Sequence, residues 1–93
     1  MNKVLCMANA VSVFNYLCQE YEGCICSITR YNYWVEVTLS IKRGMYDSAQ
    51  VKRDISRCCM EGSEIRVVYS PESEKDIFVV EWSWRSSESD PEK

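Results

Sequence analysis

Six cysteines, fourteen carboxylates and no histidine define the side-chain chemistry open to this 93-residue chain. Without imidazole, the common nucleophile–base triads and His-containing zinc sites lack a member. Cys24-x-Cys26 and the vicinal Cys58-Cys59 offer two thiol pairs. Structural zinc knuckles place their cysteines roughly two to four residues apart on turns. Here the first pair falls in a strand-like run. The second falls on a helix, where neighbours lie about 100° apart around the axis. There is no C-x-x-C motif, and two adjacent helical cysteines cannot close a relaxed disulfide. The thiols therefore read as small buried hydrophobes. Glu36 and Glu81 are the carboxylates that strand geometry could bring together. Glycosidase-type work needs carboxyls about 5–9.5 Å apart in a cleft, and a sheet this small offers little cleft. With three glycines and no GxxxxGK[ST] or GxGxxG run, nothing cradles a phosphate. No catalytic residue, metal or cofactor is nominated.

The residues that remain suit recognition. Tyr31, Tyr33 and Trp34 cluster at a turn, with Trp34 on the polar side of its strand beside Glu36. An exposed Trp flanked by Tyr is a common binding anchor. Glu72, Glu74 and Asp76 make an acidic loop, and Glu88, Asp90 and Glu92 continue the acidity at the end of the chain. Lys42, Arg43, Lys52, Arg53 and Arg57 form a basic segment, an alternative footprint for nucleic acid. Overall the formal charge is −3, which gives no global basic footprint and suits a basic protein partner better than a polynucleotide.

These residues need elements to position them. Val4, Met7, Val11, Phe14, Cys18 and Tyr21 recur at spacings of three and four, widened by Ala8, Ala10, Val13 and Leu17. The spacing predicts a helix over 4–22, buried on more than one side. Asn2 or Asn9 can cap its start, Asn9 otherwise belonging to a narrow polar arc. Gly23 supplies the positive φ its end requires. Alternation over 24–29 and 33–41 about Tyr31-Asn32 predicts a hairpin, the second strand having one core face. A second helix over 48–61 begins with an Asp47/Gln50 capping-box pair and carries a narrower stripe of Val51, Ile55, Cys58 and Cys59. A second hairpin follows, with strands over 65–69 and 77–84. Ile77-Phe78-Val79-Val80, apolar on both faces, suggests a central strand.

Helix, glycine, strand, turn, strand thus occurs twice. The expected fold is α+β, two helix–β-hairpin units (αββαββ) forming a four-stranded antiparallel sheet with two helices packed on one face. Residues 1–85 form the domain and 86–93 a disordered acidic tail. If Phe78, Val80, Trp82 and Trp84 face the helices, then Ile77 and Val79 share the open face with Trp34, Ile25 and Val68. Such a patch, or the broad apolar first helix, could support a homodimer. No membrane-spanning run and no apolar leader segment occur, and free cysteines suit the cytoplasm.

In size, mild acidity and lack of motifs the chain resembles many phage and mobile-element accessory proteins, including inhibitors of host defence such as anti-CRISPR proteins. That resemblance implies a non-enzymatic protein–protein interaction module, acting by steric occlusion. The anchor residues would be Tyr31, Tyr33, Trp34, Glu36, Glu72, Glu74 and Asp76.

Overall fold

In the computed structural model, which describes residues 2–84, the chain runs α1 (Lys3–Glu20), β1 (Ile25–Arg30), β2 (Trp34–Lys42), α2 (Ser48–Cys58), β3 (Glu64–Ser70) and β4 (Lys75–Ser83). The four strands form one antiparallel sheet in the order β1-β2-β4-β3. Each helix–hairpin unit therefore places its first strand at an edge and its second in the centre. The expected αββαββ fold is the one observed, and β4, apolar on both faces, is a central strand. The tail expected over 86–93 lies outside the described residues.

Asn2 caps α1, its side-chain oxygen accepting from the amides of Val4 at 2.7 Å and Leu5 at 3.2 Å. Gly23 ends the unit at φ 89°, in the left-handed region that a glycine enters without steric penalty. Asp47 caps α2 by accepting from the Ala49 amide at 3.2 Å. The expected reciprocal bond from Gln50 is not made. Its amide turns along the helix and donates to Asp54 at 3.0 Å. Helix α2 also stops at Cys58, short of the expected 61, because Cys59 is extended.

The core lies between the inner face of the sheet and the helices. Val35, Val37, Leu39 and Ile41 of β2 stand opposite Trp82, Val80, Phe78 and Asp76 of β4. Apart from Asp76 these residues join one buried apolar cluster with Val51 and Ile55 of α2. From α1 the buried residues are Cys6, Ala10, Val13 and Leu17, followed by Tyr21 just beyond the helix. This corrects the stripe read from spacing: Val4, Val11 and Cys18 are exposed. A helix apolar nearly all round does not select a face by periodicity. Small Cys6 and Ala10 let α1 approach the sheet closely, and that packing selects the face. Each Val or Leu buried fully in this cluster contributes about 1.5–3 kcal/mol.

Asn9 corrects the reading of a polar solvent arc. Half-buried, it accepts from the Met60 amide at 2.9 Å and from Trp82 Nε1 at 2.8 Å, and donates to the Cys58 carbonyl at 3.1 Å. One side chain thus ties α1 to the end of α2 and to the central strand β4. A second tie joins the helices at the other end of α1. The Tyr21 hydroxyl donates to Asp54 Oδ2 at 2.6 Å, and its ring meets Tyr46 edge-on at 5.0 Å. Burial and the carboxylate acceptor both raise the Tyr21 hydroxyl pKa. The same hydrogen bond, helped by Gln50 and Arg57, holds Asp54 below its ordinary range against the opposing effect of burial.

Candidate protein-interaction surface

Strand alternation assigns every second residue to the face the helices do not cover. On that open face Trp34 stands opposite Ser83 at one end of the sheet, and Lys42 opposite Lys75 at the other. Between them, Ile25, Ser40, Ile77 and Val68 form one cross-strand row, and Ser27, Thr38, Val79 and Arg66 another. The expected open-face set of Ile25, Trp34, Val68, Ile77 and Val79 is therefore brought onto one side of the sheet. Val79 is nonetheless buried.

The aromatic turn closes at the Trp34 end. The Tyr31 amide donates to the Trp34 carbonyl at 2.7 Å, and the Trp84 amide to the Tyr33 carbonyl at 3.1 Å. The rings of Tyr31 and Trp34 stack, with centroids 4.5 Å apart and planes 20° from parallel. Tyr31 and Tyr33 are each 40% exposed. Trp34 is half-buried, and its indole N–H is enclosed with no acceptor among the described residues. A buried donor left unmatched costs about 1–3 kcal/mol.

Directly beside Trp34 lies a row of carboxylates. Glu36 faces Glu81, and Glu81 faces Glu64 on its other side. The approach of Glu36 to Glu81 follows from strand parity. The third member, Glu64, depends on the strand order, which spacing does not specify. Like charges directly opposite on neighbouring strands destabilise a sheet. The one cation that pairs into this row among the described residues is Arg66, 3.8 Å from Glu81.

The acidic loop does not join this surface. Glu72 and Glu74 are exposed in the turn between β3 and β4, at the Lys42–Lys75 end. Trp34 and Lys42 are eight residue steps apart along β2, or about 26 Å at roughly 3.3 Å per step. Asp76 is removed from the binding set altogether. Its parity points it inward, it is 7% exposed, and it accepts from Ser48 Oγ at 3.2 Å and Arg43 at 3.4 Å. A structural role for Asp76 explains its charge: it anchors the start of α2 and the preceding loop to β4.

The basic segment is likewise divided. Lys42 ends β2 on the open side. Arg43 pairs with Asp76 and stacks on the Tyr69 ring at 3.8 Å. Lys52, Arg53 and Arg57 remain on the outer face of α2, lining with Ala49 and Ser56 a shallow depression of about 490 Å³. Arg53 donates to Gln50 at 2.9 Å and Arg57 pairs with Asp54 at 3.5 Å, both within the helix.

The thiols sit mostly in apolar surroundings. Burial raises the pKa of Cys6, Cys24 and Cys58, and pushes Cys59 up to about 11. Cys26 is pushed up to about 12 by burial and by a hydrogen-bonded neighbour, the Cys18 thiol on α1. Their proximity across helix and strand was invisible in the spacing. Among the described residues no three Cys, Asp or Glu side chains converge in a metal-binding arrangement. No described helix is long and apolar enough to cross a membrane. No family model, curated protein or solved structure matches the chain.

Proposed function

We propose that this chain is a non-enzymatic protein–protein interaction module that engages a basic partner surface with the Trp34 end of its open sheet face. The supporting observation is the stacked Tyr31–Trp34 pair beside the Glu36–Glu81 carboxylates, with an indole N–H that has no acceptor among the described residues. A partner segment that packs on the exposed Tyr31 ring of the stack and offers a Lys or Arg to the carboxylates would engage both. A cation placed over the exposed ring of the stack adds about 0.5–2 kcal/mol. The mode is steric occlusion, as expected of a stoichiometric inhibitor of the kind small phage and mobile elements use against host defence proteins.

Affinity capture with the wild type, Trp34→Ala and the loop variant Glu72→Gln/Glu74→Gln tests the anchor. The expected outcome is a protein retained by the wild type and the loop variant and lost with Trp34→Ala. Equal recovery by all three removes Trp34 as the anchor. Recovery lost only with the loop variant moves the interface to the opposite end of the sheet.

The Lys52–Arg53–Arg57 face supports a second reading, nucleic-acid binding, through a depression flanked by three cations. That reading requires retention on RNA or DNA that weakens steeply with salt. No shift at low salt removes it.

A further inference from the structure

We propose that Cys18 and Cys26 form a reversible dithiol–disulfide site: exposed Cys18 exchanges with a small-molecule disulfide of the glutathione type, and Cys26 resolves the adduct into an internal disulfide. This inference is independent of the proposed function, which uses neither thiol.

Three observations carry it. First, the helix turns Cys18 toward the strand that holds Cys26. Leu17 points into the core and is fully buried. Its neighbours Tyr16 and Cys18 lie about 100° to either side of it around the helix axis. Tyr16 is on the side of α2, near Asp54 and Arg57. Cys18 is therefore on the side of β1, against which α1 also packs. Second, strand alternation turns Cys26 up to meet it. Cys26 stands opposite Leu39, a fully buried core residue, and so belongs to the inner face, half-buried against the core. The two thiols share a hydrogen bond. Third, access is unequal. Cys18 is exposed, whereas Cys6 is buried and Cys24, Cys26, Cys58 and Cys59 are half-buried. An accessible thiol in contact with a protected one is the arrangement that two-step exchange requires.

In the first step the Cys18 thiolate attacks one sulfur of glutathione disulfide. A Cys18–glutathione bond forms, the original S–S bond breaks, and one glutathione leaves, taking up the proton that Cys18 released. In the second step the Cys26 sulfur attacks the Cys18 sulfur. The internal disulfide forms, the mixed disulfide breaks, and the second glutathione leaves with the proton from Cys26. Two protein thiols are oxidised and one small disulfide is reduced to two thiols. The closing bond, about 2.05 Å long, joins the last turn of α1 to the edge strand β1. Burial and the Cys18 contact keep Cys26 protonated, with a pKa of about 12. Cys26 is thereby a poor partner for a free disulfide and acts on the one sulfur it already touches.

The test incubates the full chain in glutathione buffers of increasing disulfide content, with acid quenching, intact mass and peptide mapping. Circular dichroism confirms that each variant is folded. The wild type should lose two hydrogens and yield a Cys18–Cys26 linkage that excess reduced glutathione reverses. Cys26→Ser should stop at the Cys18–glutathione adduct, at a level about tenfold or more above that in the wild type, because the intramolecular second step is lost. Cys18→Ser should form neither an internal disulfide nor an adduct at Cys26 while folded. The wild-type map needs no variant and decides the matter first. A wild type that accumulates the Cys18 adduct without an internal disulfide overturns the proposal. So does a linkage of Cys18 to Cys24 in place of Cys26, or an internal disulfide that persists in Cys18→Ser.

Discussion

Replacing Asn9 with Ala tests whether a single polar side chain inside the apolar layer holds the two halves together. The change deletes three hydrogen bonds of 2.8, 2.9 and 3.1 Å. Two donors, the Met60 amide and Trp82 Nε1, are left in a part-buried site. Taking about 1–1.5 kcal/mol for each orphaned donor and about 0.5–1 for the Cys58 carbonyl gives roughly 2.5–4 kcal/mol. Alanine returns about 0.6 kcal/mol of helix propensity, so the net loss is about 2–3.5 kcal/mol. A domain of this size has roughly 5–14 kcal/mol in total, making the change a substantial fraction. In thermal terms it is a fall in Tm of roughly 10–20 °C.

Urea unfolding followed by circular dichroism measures the loss, with an unchanged slope expected if the unfolded state is unaffected. Asn15→Ala, on the exposed side of the same helix, serves as the control and should stay within about 0.5 kcal/mol. The cycle with Trp82→Phe is sharper. Removing the indole N–H first leaves one fewer orphan, so Asn9→Ala should then cost about 1 kcal/mol less. A loss under about 1 kcal/mol from Asn9→Ala, or no coupling to Trp82, refutes the reasoning.

Three other outcomes are expected. Asp54 titrates below its ordinary value near 3.8 and Tyr21 above its ordinary value near 10.0. Asp54 therefore contributes stability present above its ordinary pKa and lost as pH falls through the folded value. The Tyr21 contribution is full below its ordinary pKa and lost as pH rises toward the folded value. Tyr21→Phe should lower stability at neutral pH and flatten both limbs of a plot of urea midpoint against pH; unchanged limbs would discount the Tyr21–Asp54 bond. Trp34→Phe removes the unmatched indole N–H, so stability should stay level or rise by about 1 kcal/mol while partner capture weakens. A stability loss above about 1 kcal/mol would mean that the N–H is satisfied within the chain. In thiol labelling of the native protein near neutral pH, exposed Cys18 should react first. Buried Cys6 and half-buried Cys26 and Cys59 should react far more slowly, the last two because almost none of either is thiolate with pKa values of about 12 and 11. Mass spectrometry of the first modified peptide decides this.

The divided fate of the acidic loop shows how far local pattern reaches. Glu72, Glu74 and Asp76 are neighbours in the chain, yet two are exposed in the turn and the third is an internal anchor for Arg43 and Ser48. The start of β4 decides this: the strand begins at Lys75 rather than at the expected Ile77, so Asp76 lies within it, on the same face as Phe78 and Val80. The charge run gave no sign of the boundary. In the basic segment, sequence proximity similarly grouped Arg43 with Lys52, Arg53 and Arg57, although Arg43 is bound to Asp76 and Tyr69.

By itself the sequence determined the elements, their order and the two faces of β2 and β4, because strand alternation and the capping residues Asn2, Asp47 and Gly23 act over a few residues. It also placed Trp34 beside Tyr31 at a turn and predicted that Glu36 and Glu81 could share a face. Only the tertiary structure decided the order β1-β2-β4-β3, and with it the third carboxylate Glu64, the exposed edge at β3 and the separation of the aromatic turn from the acidic loop. It likewise decided which side of α1 is buried and turned Asn9 from a surface residue into a junction. Those outcomes depend on which distant surfaces meet, and local spacing does not encode a pairing partner when several faces are apolar enough to be buried.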